Sequence, residues 1–472
     1  MKRKTKIVAT LGPASSSPDQ IKTLIQTGVN VFRLNFSHGT AEDHENNVKN
    51  IRQVAKSLGV IVGILQDLQG PKIRVGRFKN DRVTLTESQR FKLYADKTKA
   101  GDEHGVGISY SGLYKDVKAN DVILLDDGRL SLKVVEVKAG TIHSEVVRGG
   151  VLSNNKGINI PSADLSLAAV TKKDIEDIAT GAALDVDWVA LSFVRNRDDL
   201  LLAKHYLSLN ESNAKLMAKI EKPGAIRNYK EILKTADGIM VARGDLGVEL
   251  SAEKVPMLQK RLIRKAREKG KPVVTATQML ESMIHSPIPT RAEANDVANA
   301  IFDGTDAVML SAETATGDFP VKAVETMDTI AKTVEADGDY KERMVERKVR
   351  AEKNTPDAVS SAACHMASTL GLKVMCCFSS SGATALRVAR NRVPTTVLAV
   401  SPSIKSCHQL TLSWGIQPVL SEDATNSDEM VEIAKQVIVD HKEAKPNDQF
   451  IITAGVPFGQ SGTTNLIRVE TL

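Results

Sequence analysis

KLMAKIEKPGAIRNYKEILKTADGIMVARGDLG, residues 215–247, holds two short apolar runs, Lys215–Glu221 and Gly238–Leu246, and both close on charged residues. The first ends Lys219-Ile220-Glu221; the second carries Arg243-Gly244-Asp245. Alternation with a period of two places Lys219 and Glu221 on the same side of their strand. Working outward, the same form recurs six times: Lys6–Gly12, Val31–Phe36, Val62–Leu68, Asp187–Val194, Pro272–Gln278 and Ala307–Glu313. Amphipathic stretches such as Pro18–Thr27, Glu42–Leu58 and Asp198–Ser208 separate most of these runs. Strands alternating with helices imply parallel βαβ units, and eight strands imply a closed (β/α)8 barrel. An open doubly wound sheet is the alternative. The polar residues gathered at the strand ends favour the barrel, whose active sites form where those ends converge.

Between the third and fourth runs lie more than a hundred residues, far beyond an ordinary βα connection. Within that segment Val83–Leu85, Phe91–Tyr94, Val122–Leu125, Leu130–Val137 and Ile142–Val147 read as strands. Asp127-Gly128 is a hairpin signal, and Ala139-Gly140 is a second turn. The expectation is a small inserted β-barrel that caps the active site. A charged helix is expected over Tyr340–Lys353, followed by alternating helix and strand from Asp357 to Val469, an open α/β sheet. The division is therefore 1–70 with 164–338 for the barrel, 71–163 for the cap and 339–472 for the last domain. No further appended domain is expected after Leu472.

The 472 residues are 42% hydrophobic and 25% charged, ordinary for a globular protein. No apolar run approaches the roughly 20 residues of a membrane span. The basic start, Met1 to Lys6, leads into a short strand-like run and lacks the features of a signal peptide. A cytoplasmic location is expected. The net charge is +6, but the densest basic segment, Lys260 to Lys271, contains no aromatic residue and reads as a solvated helix face. Nucleic acid is not an expected partner. Cys364, Cys376, Cys377 and Cys407 have neither metal-site nor disulfide spacing and read as free buried thiols.

The strand ends form a coherent chemical set. The second strand ends Arg33-Leu-Asn35-Phe-Ser37-His38, and the third ends Gln66-Asp67, before Lys72 and Arg74. The seventh ends Thr275-Ala-Thr277-Gln278 and the eighth Ser311-Ala-Glu313. Glu221 and Asp245, from neighbouring strands, offer hard oxygen ligands, and Mg²⁺ commonly takes only one or two carboxylates. Gly244-Asp-Leu-Gly247 leads toward a helical run from about Ala252, whose first amides suit an anion. Arg33, Arg74 and Lys156 add cationic groups. These residues point to a Mg²⁺-dependent barrel enzyme acting on a small molecule that carries phosphate and carboxylate. A barrel lyase acting on a pyruvate enolate and a catalytically silent metabolite sensor are the competing readings.

Several stretches resemble the pyruvate kinase family nearly end to end: Thr5–Ser15, Asn35–Gly39, Asp67–Arg74, Leu216–Glu221, Met240–Gly247, Ala276–Ser282, Met309–Thr314, Gly455–Gly459 and Ser461–Thr464. The resemblance implies transfer of the phosphoryl group of phosphoenolpyruvate to ADP, giving pyruvate and ATP. It implies that Lys219 neutralises the phosphoryl group in flight and that Arg33 reaches it. Glu221 and Asp245 would hold Mg²⁺, with Mn²⁺ as an alternative. The amides of Gly244 and Asp245, with Thr277, would hold the substrate carboxylate, and Thr277 or Ser311 would relay the proton to the enolate. Asn35, His38, Arg74 and Lys156 would face the nucleotide. Many members carry glutamate where this chain has Lys72, and bind K⁺ near Asn35, Ser37 and Asp67; the ammonium of Lys72 implies that K⁺ is not required. Ser379, Ser381, Gly382 and Thr384 resemble a phosphate loop for a sugar-phosphate or nucleotide monophosphate effector, and family likeness implies a homotetramer.

Overall fold

The computed structural model describes residues 2–163, 165–346, 349–457 and 462–472; positions 458–461 of the two last resembling motifs lie outside them. Eight parallel strands close into a barrel: Lys6–Thr10, Val31–Asn35, Gly63–Asp67, Trp188–Leu191, Lys215–Ile220, Gly238–Ala242, Val273–Ala276 and Ala307–Leu310. Each strand pairs with its neighbours in chain order and the last returns to the first, so all eight polar ends share one rim. Most strand residues are fully buried, as expected of strands covered by side chains within and helices without. Four of the helices that follow the strand ends start at a capping box: Thr40 with Asp43, Thr171 with Asp174, Asn196 with Asp199 and Thr290 with Glu293. Each box satisfies otherwise orphaned amides and fixes where a rim loop stops.

The segment between the third and fourth barrel strands contains a six-stranded sheet and a two-stranded one. The five expected strands are present, with short strands Gly105–Gly107, Gly150–Ser153 and Ile158–Asn159 added to them. The expected small barrel is thus hydrogen-bonded as two sheets around one apolar cluster that includes Phe91, Leu93, Leu132 and Ile158. Its added strands are two to four residues long, too short to show a period. The helix expected over Tyr340–Lys353 instead spans Gly338–Glu346, and Val349–Glu352 have no regular structure.

The C-terminal part is a five-stranded sheet in the order Ile416–Leu420, Thr396–Ser401, Val374–Phe378, Gln449–Gly455, Thr464–Thr471, parallel except for the last strand. All four cysteines are buried and free, and burial raises the Cys376 and Cys364 thiols to about 12. The segment after its helix Ile404–Leu410 seals the base of the barrel. Leu412 is fully buried with Val8, Val31, Leu65, Met217 and Met309 of the barrel interior, and Trp188 Nε1 donates to the Gln409 carbonyl at 3.1 Å. Gly63 is required there, because a Cβ would stand 2.5 Å from Thr411 Oγ1. One end of the barrel is plugged and the other is open to chemistry. No described helix is long and apolar enough to cross a membrane.

Candidate active site

Lys219 projects from the fifth strand into the rim. Its Nζ lies 3.1 Å from Asp67 Oδ1, 3.1 Å from Glu221 Oε1 and 2.8 Å from Ser192 Oγ. Burial opposes its charge, but Asp67 and Glu221 raise the ammonium above its ordinary value, so it is protonated throughout the neutral range. Asp67 ends the third strand and joins two cations, because its Oδ2 also accepts from Arg33 Nε at 2.7 Å. Burial works against this carboxylate, and Lys219 and Arg33 nevertheless lower it below its ordinary value. Arg33 is further aimed by a 3.1 Å bond to Thr10 Oγ1 from the first strand.

Glu221 is 1% exposed, and its Oε2 accepts the Phe193 amide at 2.6 Å. Phe193 has φ +56°, a left-handed turn that points its N–H at the carboxylate. Burial raises the Glu221 carboxyl; Lys219 opposes the shift and Asp245 reinforces it. Two carboxylates that repel each other across adjacent strands call for a cation between them, and this pair fits a divalent metal. Among the described residues no cluster of three or more such ligands exists.

Asp245 stands in the first turn of a helix, Arg243–Leu250, that follows the sixth strand without a break. The helical run expected from about Ala252 is present as a short 3-10 turn, Ala252–Lys254, leading into Val255–Glu268; Arg243–Leu250 is a separate helix before it, and the amides of Gly244 and Asp245 belong to its first turn. Gly244 N–H donates to Thr277 Oγ1 at 2.8 Å, joining two of the expected carboxylate-binding groups. Thr277 and Gln278 have φ +70° and +53°, and a β-branched residue is rarely held there. Arg243 accounts for the conformation: its Nη2 donates to the carbonyls of Thr277 at 2.6 Å and Gln278 at 3.3 Å, and its Nη1 is anchored on Asp296 at 2.7 Å. Sequence reasoning placed Arg243 at a strand end without giving it a task; left-handed backbone could not be read from the residues.

The remaining expectations fall into five places. Asn35 and His38 line a cavity of about 640 Å³ with Pro13, His44 and Asn47. His44 stacks on Phe36 at 3.8 Å, its Nε2 is 3.0 Å from the His38 carbonyl, and Lys173 holds the Phe36 carbonyl at 2.8 Å. Pro13 and His44 lie inside or beside quoted motifs, yet only the folded loop shows that they share a wall. Arg74 and Lys156 sit on the insert instead. Arg74 Nη1 donates to the Asn155 carbonyl at 3.2 Å, and Lys156 pairs with Asp126 at 2.8 Å. Lys72 Nζ is 3.4 Å from Asp245 Oδ1, so its ion pair is with the candidate metal ligand. Ser311 caps the short helix Ala312–Ala315, and its amide donates to Glu313 Oε2 at 2.6 Å. In the C-terminal loop, Thr384 is buried with its hydroxyl 2.6 Å from that of Thr464, so it secures the loop, while Gly382 supplies the φ of +75° at its turn.

The insert is tied over this rim by few bonds. Asn159 Nδ2 donates to Glu249 Oε1 at 2.7 Å, the same oxygen that pairs with Lys222 at 2.5 Å. Together with the Lys72–Asp245 pair, these are polar contacts that domain movement could exchange.

Comparison with known proteins agrees with this architecture. A family model described as "Pyruvate kinase, barrel domain" matches residues 2–324, and one described as "Pyruvate kinase, alpha/beta domain" matches 357–470. The chain is 45% identical to a pyruvate kinase of Sporosarcina psychrophila over all of its own length and 80% of the relative's. It is 44% identical to one of Methylorubrum extorquens, with 99% and 97% of the two chains covered. A solved pyruvate kinase from Cryptosporidium parvum superposes with a TM-score of 0.94 at 34% identity, covering 99% of this chain and 96% of that one.

Proposed function

The chain belongs to the pyruvate kinase family and is an enzyme of that reaction, moving the phosphoryl group of phosphoenolpyruvate to ADP to give pyruvate and ATP; we propose that Lys219, Arg33, Glu221 and Asp245 carry the transfer. The observation that supports this most is the ammonium of Lys219, buried yet held charged by Asp67 and Glu221 within 3.1 Å. Phosphoryl transfer asks a protein chiefly to position reactants and to neutralise charge on the equatorial oxygens. Lys219 and Arg33, both locked onto Asp67, are two cations whose positions are set before substrate arrives. Glu221 and Asp245 would hold the divalent metal that family members need, which we take to be Mg²⁺ with Mn²⁺ as a substitute; the metal would neutralise phosphate and carboxylate charge.

The amides of Gly244 and Asp245 and the hydroxyl of Thr277 orient the substrate carboxylate. Thr277 or Ser311 passes a proton to C3 of the enolate once the phosphoryl group has left. The cavity beside Asn35 and His38 takes the base of the nucleotide, with Arg74 and Lys156 brought to its phosphates as the insert, residues 71–163, closes. Closure would exclude water that could otherwise take the phosphoryl group. The test is pyruvate formation from phosphoenolpyruvate and ADP with Mg²⁺, beside Lys219→Met. Turnover should need both substrates and the metal and fall about 10³-fold in the variant; retention of more than a tenth of the rate would remove Lys219 from the transfer.

With Lys72 supplying charge beside Asp245, replacing Na⁺ by K⁺ should change turnover less than twofold. A tenfold rise would show that Asn35, Ser37 and Asp67 hold an essential K⁺. We also propose that Ser379, Ser381 and Gly382, steadied by Thr384, take the phosphate of a sugar-phosphate or nucleotide monophosphate effector in the C-terminal part, residues 339–472. A panel of such compounds should shift the phosphoenolpyruvate saturation curve, and unchanged curves would dismiss the effector. A cytoplasmic homotetramer is the expected form, to be checked by light scattering.

A further inference from the structure

Far from the rim, a cavity of about 350 Å³ opens at the base of the barrel, between it and the C-terminal sheet. Lys215 and Lys271 enter it from the barrel, and Arg387 and Arg390 from the helix Ala383–Ala389 and the residue that follows it. The carboxylates in its wall are largely committed. Glu352 pairs with Lys269 at 2.7 Å, and Asp357 pairs with Arg390. Asp237 accepts the Leu216 amide at 3.0 Å and lies 3.6 Å from Lys204 Nζ. Lys215, Lys271 and Arg387 therefore converge on one space with a single shared carboxylate.

The polar atoms around that space are also incomplete. Nη1 of Arg387, Nε of Arg390 and Oγ of Ser413 are buried without a hydrogen-bond partner, and Arg390 and Ser413 are 5% and 1% exposed. Buried donors left unpaired destabilise a fold, so three beside one cavity mark a place for acceptor oxygens. Burial, opposed by Asp237 and reinforced by Lys204 and Lys215, holds the Lys271 ammonium below the ordinary lysine range, as expected where cations lack an anion. Leu386, Leu410 and Gly270 also line it.

We propose that this seam cavity binds a small phosphomonoester, its dianionic phosphate held by Lys215, Lys271 and Arg387 with Ser413 as a further hydrogen-bonding group. A doubly charged phosphate offers both the charge and the acceptor oxygens that this set lacks. The volume lies at the small end of ligand sites, enough for a phosphate with a short polar body. The cavity borders the Ser379–Thr384 loop, since Ser381 and Ala383 also line it, but its lysines come from the barrel. Lys215 begins the strand that carries Lys219, so occupancy would grip the same strand at its opposite end.

The probes are inorganic phosphate and ribose 5-phosphate, titrated at constant ionic strength against the full chain. The readout is lysine acetylation, followed residue by residue by mass spectrometry. Saturating probe should slow modification of Lys271 and Lys215 at least fivefold and leave exposed Lys22 unchanged. In Arg387→Gln the concentration for half-protection of Lys271 should rise at least tenfold, whereas in Ser379→Ala it should not move. Should Arg387→Gln fold poorly, Ser413→Ala takes its place, with a two- to fivefold rise. Protection by neither probe up to 20 mM, or protection equal in wild type and variants, would overturn the site. Protection by phosphate that ribose 5-phosphate cannot reproduce would overturn the phosphomonoester.

Discussion

The two ends of the barrel bury similar side chains and treat them oppositely. At the plugged base, carboxylates are satisfied by backbone. Glu335 accepts the amides of Lys4 and Thr5 at 2.7 and 2.6 Å, and Asp306 those of Val273 and Trp414, both at 3.0 Å, with Arg392 at 3.1 Å. Asp187 accepts the Ile64 amide at 2.7 Å and pairs with Arg52 at 2.8 Å. At the rim, Asp67 is held by Lys219 and Arg33, Glu221 divides its oxygens between Lys219 and the Phe193 amide, and Glu221 and Asp245 repel each other. A backbone amide cannot leave its carboxylate, whereas a lysine or a metal can be shared with a substrate. The partner, more than the residue type, separates a structural charge from a chemical one.

Asp306→Ala is the severest way to break this contrast. It would strand two buried amides and Arg392, which is 4% exposed, and should lower unfolding free energy by about 3–5 kcal/mol in denaturant titration. Turnover per folded molecule should remain within twofold; a large loss of turnover with stability intact would make the base part of the chemistry.

Lys6 sharpens the comparison through pH. Its Nζ donates to the Ile416 carbonyl at 2.6 Å, and burial, reinforced by Arg3 and opposed by Glu335, lowers it to about 7. The unfolded chain keeps this proton up to about pH 10.4. The unfolded state therefore binds more protons between these values, and the lysine's contribution to stability rises with pH across that window. Lys6→Met should gain most over wild type at pH 6–7, and the gain should shrink toward pH 10. A gain that does not vary with pH would show that Lys6 keeps its proton in the folded protein across this range.

The smallest expected effect is at the rim. Since the Glu221 carboxyl is raised, its charge opposes folding at pH 7, the sign opposite to that of Asp67. Glu221→Gln should leave the Tm unchanged or higher by a few degrees while removing the stabilisation that added Mg²⁺ gives the wild type. A marked fall in Tm would place Glu221 with the structural charges of the base.

How much of this was written in the residues follows the same division. The eight barrel strands and the shared rim were legible, because long-range burial leaves a local trace in apolar runs with polar ends. Lys219, Glu221 and Asp245 were legible for the same reason. The three short strands of the insert were not, since two to four residues carry no periodicity, and neither was the helix Arg243–Leu250, whose two glycines and two acidic residues show no clear apolar face. The clamp of Arg243 on Thr277 and the plug of Leu412 were equally hidden, because they join positions 34 residues apart and more than a hundred residues apart respectively.

The left-handed threonine at the rim has a consequence for anyone who tries to improve this protein. Holding Thr277 at φ +70° is opposed by roughly 1–2 kcal/mol that glycine would not feel. Directed evolution scored on heat resistance alone would therefore enrich glycine at 277, exchanging the hydroxyl for backbone ease. With the role proposed for that hydroxyl, the hardiest clones from such a library would be among the poorest catalysts, and turnover would have to be selected alongside survival.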